Sequence, residues 1–500
     1  MNTRPAMKLR ELLAGHADSG DAGEVVVHGL ALDSRTLQPG EAFVALAGSH
    51  VHGIEFAPAA SARGAAAILA DATGRAAARP MSASTVPVLW IEQLRQRLGA
   101  IAARFFGEPS HALELIGVTG TNGKTSTVQL IAQALHGAGR RVATIGTLGA
   151  GLHGAVHAGE RTTPDAIELQ RLLAGFRDAG ADTVAMEVSS HALDQGRVNA
   201  SAFDVAVFTN LTRDHLDYHG SMAAYGAAKA RLFDWPGLRA AVINVDDDFG
   251  RALAAHVASA GAVRLVRHAI DDAAAEVRAC HIEAGAHGLR FELVTPWGRG
   301  ALATPLLGRF NVANLLAVAA TLGVLGLEFD AILAALARLQ PVAGRMSRLG
   351  GEAGLPLVVV DYAHTPDALE QALATLRAHC AGLLVCVFGC GGERDAGKRP
   401  QMGAIAERLA DRVIITDDNP RGEDGGAIAA QILAGMHDGA RARIERDRAA
   451  AIGGAIAAAR ANDIVLIAGK GHEPYQESGG VRRPFDDLAV ARAALEARPC

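Results

Sequence analysis

The stretch GVTGTNGKTST at residues 117–127 carries residue types that can bind a triphosphate. Glycines let a backbone wrap around phosphate oxygens, and the N-terminus of a following helix offers free N–H groups and partial positive charge. Lys124 can reach the β- and γ-phosphates, and the hydroxyl of Thr125 suits Mg²⁺. Val118 stands where the common P-loop has its first glycine. We interpret the stretch as an ATP site of a different family rather than an ordinary glycine-rich turn.

Carboxylate and imidazole groups follow two further apolar runs. Glu187 lies at the end of one run, and hard cations such as Mg²⁺ prefer carboxylate oxygen, although a lone acid is more often a solvated surface group. The segment NLTRDHLDYHG places Asp214, His215, Asp217 and His219 just past a predicted strand. Such groups at a strand end suggest metal or phosphate chemistry, and because their spacing matches no standard zinc pattern, we exclude zinc.

Polar, glycine-rich loops follow the apolar runs in the last third of the chain. In open α/β sheets, ligands gather outside the carboxyl ends of the strands. Arg394 supplies positive charge for an anion, Arg421 supplies a fork for a carboxylate, and Asp418 can accept from an ammonium group. This combination suits a zwitterionic amino acid, although each loop alone could be a structural turn. The loops are VVVDYAHTPDAL (358–369), VFGCGGERDAGKRP (387–400), TDDNPRGED (416–424) and AGKGHEPYQ (468–476).

Alternating strands and helices must position these loops. LELIGV predicts a strand before the phosphate loop, and TSTVQLIAQALHGAG predicts a helix that buries Val128, Ile131, Ala132 and Leu135 on one face. Strands separated by helical stretches indicate an α/β fold with a mainly parallel sheet. Further strands are predicted at 183–190, 203–211 and 240–247.

A chain of 500 residues is too long for one core and predicts two to four domains at roughly 100–200 residues each. Residues 1–107 hold enough short apolar runs for a small α/β domain of their own. The Pro- and Gly-rich stretch ARLQPVAGRMSRLGG near residue 340 predicts a hinge. We therefore predict domains at 1–107, 108–340 and 341–500.

Composition excludes several classes of protein. The formal net charge of −5 gives no basic excess, which disfavours nucleic acid as a partner. Five irregularly spaced cysteines argue against a disulfide framework and fit a reducing cytosol. No apolar run approaches the roughly 18–20 residues that span a bilayer, and the N-terminus lacks the apolar region of a signal peptide. We expect a cytoplasmic protein without membrane insertion.

Eight motifs together resemble the Mur ligase family. GTNGKT, EVSSH, DHLDYHG, GRFNVAN, DYAHTPD, FGCGGERDAGKRP, DNPR and GKGHE occur in the family's order, and the likeness runs from about residue 30 to 487. The resemblance implies a UDP-binding domain, a central ATPase domain and a C-terminal Rossmann-like domain. It also implies an ATP-dependent, usually monomeric ligase of peptidoglycan synthesis, and thereby of cell wall biogenesis, cell shape, cell division and the cell cycle.

The resemblance implies which residues hold ATP and two ions of Mg²⁺. The helix around Lys229 alone would predict an exposed lysine. In the Mur ligase family, however, Lys229 matches a lysine that is carbamylated. A carbamate can bind a cation that an ammonium group would repel. Lys124, Lys229 and His215 take catalytic roles. The implied magnesium ligands are Thr125, Glu187, His215 and carbamylated Lys229. The implied ATP contacts are Gly120, Thr121, Asn122, Gly123, Lys124, Thr125, Ser126, Asn311, Arg345 and Asp361.

The resemblance also assigns two further substrate sites, one for UDP-N-acetylmuramoyl-dipeptide and one for diaminopimelate. Lysine-adding relatives lack the arginine of DNPR, and only diaminopimelate carries a second carboxylate for that guanidinium. The implied contacts to the UDP-linked substrate are Leu32, Ser34, Ser49, His50, Val51, Arg161 (commonly Asn in the family), Thr162, Thr163, Ser189, Gln195 and Arg197. The implied diaminopimelate contacts are Arg394, Asp418, Asn419, Pro420, Arg421, Gly469 and Glu473.

Three alternatives differ from this hypothesis in testable features. Folylpolyglutamate synthetase shares the chemistry but has its phosphate loop close to the N-terminus, whereas about 107 residues precede it here. A lysine-adding Mur ligase is disfavoured by Arg421. A non-catalytic, nucleotide-switched binding protein would have no reason to keep Lys229, Arg394 and DNPR together.

Overall fold

The computed structural model of the chain describes residues 6–48, 51–75, 86–159, 161–285 and 288–498. These residues divide into two compact units, one formed by 1–268 with 320–325 and the other by 269–319 with 326–500. The fold is α/β, with parallel and mixed sheets, as the sequence predicts. None of the described helices combines the length and apolar character needed to cross a membrane.

The first unit begins with a small α/β region. A two-stranded antiparallel pair precedes a parallel sheet in the order β3-β4-β5-β6, and the apolar side of the helices packs on that sheet. The strands are β1 (Met7–Lys8), β2 (Val26–Val27), β3 (Leu30–Ala31), β4 (Ala42–Ala45), β5 (Ala67–Asp71) and β6 (Val88–Ile91). The helices are α1 (Leu9–Leu12), α2 (Ala57–Ala62) and α3 (Leu94–Phe105).

The remainder of the first unit carries the phosphate loop on a mainly parallel sheet. Its strands lie in the order β10-β9-β8-β11-β7-β12-β13-β14, with β9 and β10 antiparallel. These strands are β7 (Glu114–Thr119), β8 (Val142–Gly146), β9 (Gly149–Leu152), β10 (Ala155–His157), β11 (Thr183–Glu187), β12 (Val205–Phe208), β13 (Ala240–Asn244) and β14 (Arg264–Ala269). The helices are α4 (Lys124–Gly137), α5 (Ala166–Asp178), α6 (Ser190–Asp194), α7 (Leu216–His219), α8 (Met222–Ala230) and α9 (Asp248–Ala260).

The predicted helix after the phosphate loop is confirmed as α4. The four residues predicted to share its buried face, Val128, Ile131, Ala132 and Leu135, are all buried. The strands beside it are buried on both faces, which is the pattern expected for parallel strands covered by helices.

The second unit contains an antiparallel three-stranded meander and a helix-covered sheet in the order β18-β19-β23-β20-β21-β22, in which only β18 is antiparallel. The strands are β15 (Val277–Gly285), β16 (Gly288–Thr295), β17 (Gly298–Thr304), β18 (Ser347–Gly350), β19 (Leu357–Asp361), β20 (Leu384–Phe388), β21 (Arg412–Ile415), β22 (Ala442–Ile444), β23 (Ile464–Ala468), β24 (Tyr475–Ser478) and β25 (Val481–Pro484). The helices are α10 (Arg309–Val324), α11 (Phe329–Ala337), α12 (Pro366–His379), α13 (Lys398–Leu409), α14 (Gly425–Leu433), α15 (Arg448–Ala458) and α16 (Asp487–Glu496).

Both faces of the parallel sheet in the second unit are covered. Alternate strand residues pack on α12, α13 and α14 on one side, and on α15 and α16 on the other. The strands β19, β20, β21 and β23 all run parallel, so their carboxyl ends meet at one edge. The four polar loops predicted to bind ligands leave from that edge. The domain boundaries at 107/108 and 340/341 stay a prediction.

Candidate active site

The phosphate loop connects β7 to α4 and depends on glycine at two positions. Gly120 has φ +147° and Gly123 has φ +86°, a region that residues with a Cβ rarely adopt. A Cβ on Gly120 would also lie 1.9 Å from Oγ1 of Thr209. The same threonine hydroxyl donates to the carbonyl oxygen of Asn122 at 2.6 Å. The loop is therefore held in a fixed shape by the segment that follows β12.

Two lysine side chains converge on the carbonyl oxygen of Gly120. Lys124 donates to it at 2.9 Å and to the carbonyl of Thr121 at 2.8 Å, while Lys229 donates to it at 2.6 Å. Thr125 and Ser126, also predicted to contact ATP, are buried in the first turn of α4. The structure thus brings Lys229 to the phosphate loop.

Lys229 is 1 % exposed, so the interpretation from its helix alone, an exposed surface lysine, is wrong. Its Nζ lies 4.4 Å from the ring centroid of Tyr225, and the hydroxyl of Tyr225 lies 3.2 Å from Oγ1 of Thr121. Burial, and then the charge of Lys124, lower the pKa of the Lys229 amine to about 6. Lys229 is therefore a neutral amine at neutral pH, which is the form that can capture CO₂.

Glu187 ends β11 directly beside the strand that leads into the phosphate loop, with Glu187 opposite Val118 in the parallel ladder. It is 1 % exposed, contrary to the behaviour of an ordinary solvated acid. Its carboxylate accepts from the backbone N–H of Thr147 at 2.7 Å and from the Thr147 hydroxyl at 3.2 Å. These two bonds fix the direction in which the carboxylate lies.

The residues predicted to contact the muramyl-peptide form a network around Glu187. The Thr163 hydroxyl donates to the Glu187 carbonyl at 2.9 Å and accepts from the Ser189 N–H at 3.1 Å. Arg197 donates to the Thr163 carbonyl at 3.1 Å and to Gln195 Oε1 at 2.6 and 2.9 Å. The Thr162 hydroxyl lies 3.1 Å from that of Thr147. Arg161 is exposed.

His215 lies at the start of α7, beside the cluster around Lys229. Its backbone has φ +51°, its ring is 4.8 Å from that of His191 and 6.0 Å from that of Tyr225, and its Nε2 lies 3.4 Å from the Asp214 carboxylate. Within the described parts of the chain, no group of three or more His, Cys, Asp and Glu side chains is placed to hold a metal ion. The predicted magnesium set contains two such residues, Glu187 and His215, and would depend on Thr125 and a modified Lys229 for the remaining ligands.

The predicted uridine contacts lie in the small α/β region. Ser34 is buried and Leu32 is half-buried in the turn that follows β3. Asp33 in the same turn accepts from the backbone N–H and the guanidinium of Arg35, which shapes the turn. Val51 is exposed. Ser49 and His50 lie outside the described residues.

Three predicted nucleotide contacts belong to the second unit. Asn311 lies in the first turn of α10 and donates from its side chain to the Leu307 carbonyl at 2.8 Å. Asp361 ends β19, and its carboxylate accepts from the Met346 N–H at 2.8 Å, while burial raises its pKa. The guanidinium of the neighbouring Arg345 lies 5.1 Å from the ring centroid of Tyr362.

The predicted amino-acid site is built around Asn419. Its side-chain N–H donates to Glu473 Oε2 at 2.7 Å, and its side-chain oxygen accepts from Lys470 Nζ at 3.0 Å and from the Glu477 N–H at 2.9 Å. Lys470 also lies 3.3 Å from Glu473 Oε2. Lys470 belongs to the loop AGKGHEPYQ, one of the four loops predicted to bind ligands. The buried ammonium group fixes the orientation of two predicted ligand contacts.

Asp418, Pro420, Arg421 and Gly469 complete this group. A Cβ on Gly469 (φ +115°) would lie 2.4 Å from Asp418 Oδ2, so the loop needs glycine to pass the buried carboxylate. Burial raises the pKa of Asp418. Pro420 is buried, and Arg421 has φ +54° and donates from Nη1 to the Gly392 carbonyl at 2.7 Å. Arg394 is exposed in the neighbouring loop.

Comparison with known families decides the membership of the chain. Residues 26–106 match "Mur ligase family, catalytic domain", residues 118–322 match "Mur ligase middle domain", and residues 344–471 match "Mur ligase, glutamate ligase domain". The chain belongs to the Mur ligase family. The sequence predictions of a three-domain α/β fold and of a ligase are thereby confirmed.

Individual Mur ligases are similar in sequence to nearly the whole chain. A protein of Xanthomonas campestris pv. campestris named UDP-N-acetylmuramoyl-L-alanyl-D-glutamate–2,6-diaminopimelate ligase is 58% identical over 499 residues, which is 98% of this chain and 97% of that protein. The protein of the same name from Pseudomonas aeruginosa is 53% identical over 95% of this chain and 96% of its own length.

Solved structures give the same result. A structure of a ligase with this name is 37% identical, has a TM-score of 0.74, and is matched over 98% of this chain and 99% of its own. A structure of MurF from Acinetobacter baumannii is 18% identical and has a TM-score of 0.65. The match covers 99% of this Mur ligase and 100% of the MurF chain, and at this identity it shows the shared fold alone.

Proposed function

We propose that this Mur ligase joins meso-2,6-diaminopimelate to UDP-N-acetylmuramoyl-L-alanyl-D-glutamate at the expense of ATP. The observation that carries the substrate choice is the site around Asn419, where a carboxylate, an oriented amide and the Arg421 guanidinium lie on adjoining loops. Glu473 can accept from an ammonium group and Arg421 can grip a carboxylate. The names of relatives above 50% identity over nearly the whole chain support the same substrates.

In this proposal, ATP activates the substrate acid. An oxygen of the D-glutamyl γ-carboxylate attacks the γ-phosphorus of ATP, the bond to the β-phosphate oxygen breaks, and ADP leaves. The product is an acyl phosphate. The amine of diaminopimelate then attacks the acyl carbon, loses a proton, and expels inorganic phosphate to leave an amide. The loop N–H groups and Lys124 would stabilise the negative charge that the phosphoryl group carries.

The phosphate site is also suited to Mg²⁺. Thr125 and Glu187 offer hydroxyl and carboxylate oxygen, His215 offers an imidazole nitrogen, and the neutral amine of Lys229 can become a carbamate anion. When bound, Mg²⁺ would neutralise charge between the triphosphate and the attacking carboxylate. We propose two ions, with His215 and carbamylated Lys229 holding the second.

The UDP-linked substrate would lie along the first unit. Leu32 and Ser34, with Ser49, His50 and Val51, would contact the uridine part. The network of Thr162, Thr163, Ser189, Gln195 and Arg197 surrounds Glu187, so a muramyl-peptide held there would present its carboxylate beside the phosphate loop. Arg161 would contribute positive charge nearby. We place the reaction in the cytoplasm and propose that the protein acts as a monomer.

An amino-acid panel tests this proposal. Purified protein with ATP, Mg²⁺ and UDP-N-acetylmuramoyl-dipeptide is given meso-diaminopimelate, lysine, ornithine or glutamate, and phosphate release and the UDP-linked product are measured. We expect rapid product formation with diaminopimelate alone. Lysine as the preferred substrate would overturn the substrate assignment, and phosphate release without any longer peptide would overturn the ligase proposal.

A further inference from the structure

Arg399, which the proposed reaction leaves without a role, is among the largest fully buried side chains of the protein. It lies in the first turn of α13 and is 1 % exposed. Its guanidinium donates to both oxygens of Glu423, at 2.9 and 3.0 Å. It also donates to the Gly391 carbonyl at 3.1 Å and to Gln431 Oε1 at 2.7 Å. One side chain therefore connects α13, α14 and two of the four polar loops at the carboxyl edge of the sheet.

The two loops joined by the Arg399–Glu423 pair carry the two guanidinium groups predicted to bind the amino acid. Arg394 is in the loop after β20 and Arg421 is in the loop after β21. The Glu423 carboxylate accepts from the backbone N–H of Glu393, the residue directly before Arg394. The Arg399–Glu423 salt bridge thus holds the backbone one residue before Arg394, and its Glu423 end lies two residues after Arg421.

Backbone strain in these loops requires such support. Glu393 has φ +55° and Arg421 has φ +54°, a left-handed conformation that is uncommon for residues other than glycine. Residues in such conformations persist when their surroundings over-determine them, and they cluster at ligand sites. The backbone N–H of Glu393 donates to the Glu423 carboxylate, and Arg421 lies two residues before Glu423.

The loops also touch each other along their backbones. The Gly392 N–H donates to the Asn419 carbonyl at 2.9 Å, and the Gly392 carbonyl accepts from Arg421 Nη1 at 2.7 Å. A Cβ on Gly392 would lie 1.9 Å from the Pro420 carbonyl oxygen. Because contact this close leaves little room for either loop to shift, the backbone geometry of one loop determines that of the other.

We propose that Arg399 and Glu423 act as a positioning pair for the diaminopimelate site. The pair sets the spacing of Arg394 and Arg421, so that the site holds the second carboxylate of the substrate. This inference rests on the proposed function. The pair would therefore contribute to selectivity. Lysine lacks one of the two carboxylates of diaminopimelate, so the binding of lysine depends less on the spacing of Arg394 and Arg421. The Arg399 side chain is 1 % exposed but that of Glu423 is 35 % exposed, so solvent screening limits what this pair contributes to stability.

The test substitutes Glu423→Gln, which keeps the size of the side chain and one acceptor oxygen but loses the two-oxygen fork and its charge. We expect the KM for diaminopimelate to rise about tenfold or more, as for loss of a charged hydrogen bond. The kcat, the KM for ATP and the KM for UDP-N-acetylmuramoyl-dipeptide should change by less than about threefold. The preference for diaminopimelate over lysine should fall. Arg399→Lys, which keeps the charge but loses the fork, should give the same pattern.

The matched control is Glu370→Gln, which breaks the exposed Arg408–Glu370 pair between the same helix α13 and α12. It should leave every kinetic constant unchanged. Thermal melting and ADP binding check that each variant is folded, and Glu423→Asp provides a milder change if Glu423→Gln does not fold. An unchanged KM for diaminopimelate in the folded variants would overturn the positioning role, as would an equal rise in all three KM values. Failure of the wild-type protein to use diaminopimelate would instead refute the proposed function.

Discussion

The side-chain nitrogen of Lys229 lies 2.6 Å from the carbonyl oxygen of Gly120, at the start of the phosphate loop. The two residues are 109 positions apart, and the amine nitrogen also lies 4.4 Å from the ring centroid of Tyr225. A lysine in this place cannot keep a full hydration shell, which explains why burial lowers its pKa to about 6. Each feature of this contact suggests an experiment.

Replacing Lys229 with alanine should reduce ligation about 100-fold or more, a loss similar to that of other groups that stabilise charge in a transition state. Added short carboxylic acids should restore part of the activity if the lost group is a carbamate. Lys8→Ala, at an exposed lysine paired with Glu24, is the control and should have full activity. Full activity of Lys229→Ala would remove the carbamate from the reaction.

The modification of Lys229 should depend on pH. Because its pKa is lowered to about 6, the amine is neutral above that pH and becomes protonated as the pH falls through it. Only the neutral amine reacts with CO₂. NMR of protein treated with isotope-labelled bicarbonate should show a carbamate signal near pH 8 that disappears below about pH 6. A spectrum of Lys229→Ala should lack it, and the same signal in both proteins would place the modification elsewhere.

Gly120→Ala should damage the phosphate loop. At φ +147°, with Thr209 Oγ1 in the space a Cβ needs, the substitution should cost about 1–3 kcal/mol of stability and abolish measurable ATP binding. Gly137→Ala, at the end of α4 with no atom near the new Cβ, should instead stabilise by about 0.5–1 kcal/mol. Urea unfolding and calorimetric titration with ATP check both. Normal ATP affinity of Gly120→Ala would contradict the assignment of the loop.

Arg421→Ala should weaken the use of diaminopimelate. Loss of a charged hydrogen-bond donor should raise the KM for diaminopimelate about 10- to 100-fold while the KM for ATP stays within about twofold. Arg482→Ala, at an exposed arginine stacked on Tyr475, is the control. Steady-state kinetics with each substrate varied in turn provide the comparison. An equal loss for both substrates would count against the predicted contact.

His268 should make the first unit sensitive to acid. Burial lowers its pKa to about 3, whereas an unfolded histidine has a pKa near 6.5. The unfolded chain therefore binds one more proton between these values, and stability falls by about 1.4 kcal/mol per pH unit as the pH drops below 6.5. His268→Leu should lose less stability than the wild type between about pH 7.5 and about pH 5, measured by urea midpoints. Parallel losses in both proteins would contradict this.

Much of the fold follows from local sequence. The helix at Lys124–Gly137 and the strands around it come from apolar periodicity and glycine-rich turns within a few residues of one another. The ligand loops could be placed at one sheet edge, because parallel strands bring their carboxyl ends together. The resemblance to Mur ligases could be recognised from ordered motifs alone, and the comparisons confirm it.

The roles of Lys229, Lys470 and Arg399 could not be predicted from their surroundings in the sequence. Each carries a charge that normally lies in water, and Lys229 and Arg399 begin or occupy helices where an exposed position is the usual outcome. Their partners Gly120, Asn419 and Glu423 are 109, 51 and 24 residues away. The sequence by itself determined which strands, helices and glycine-rich loops form. Only the tertiary structure decided which charged groups are buried, because removal from water and the choice of partner depend on chain segments that meet after folding.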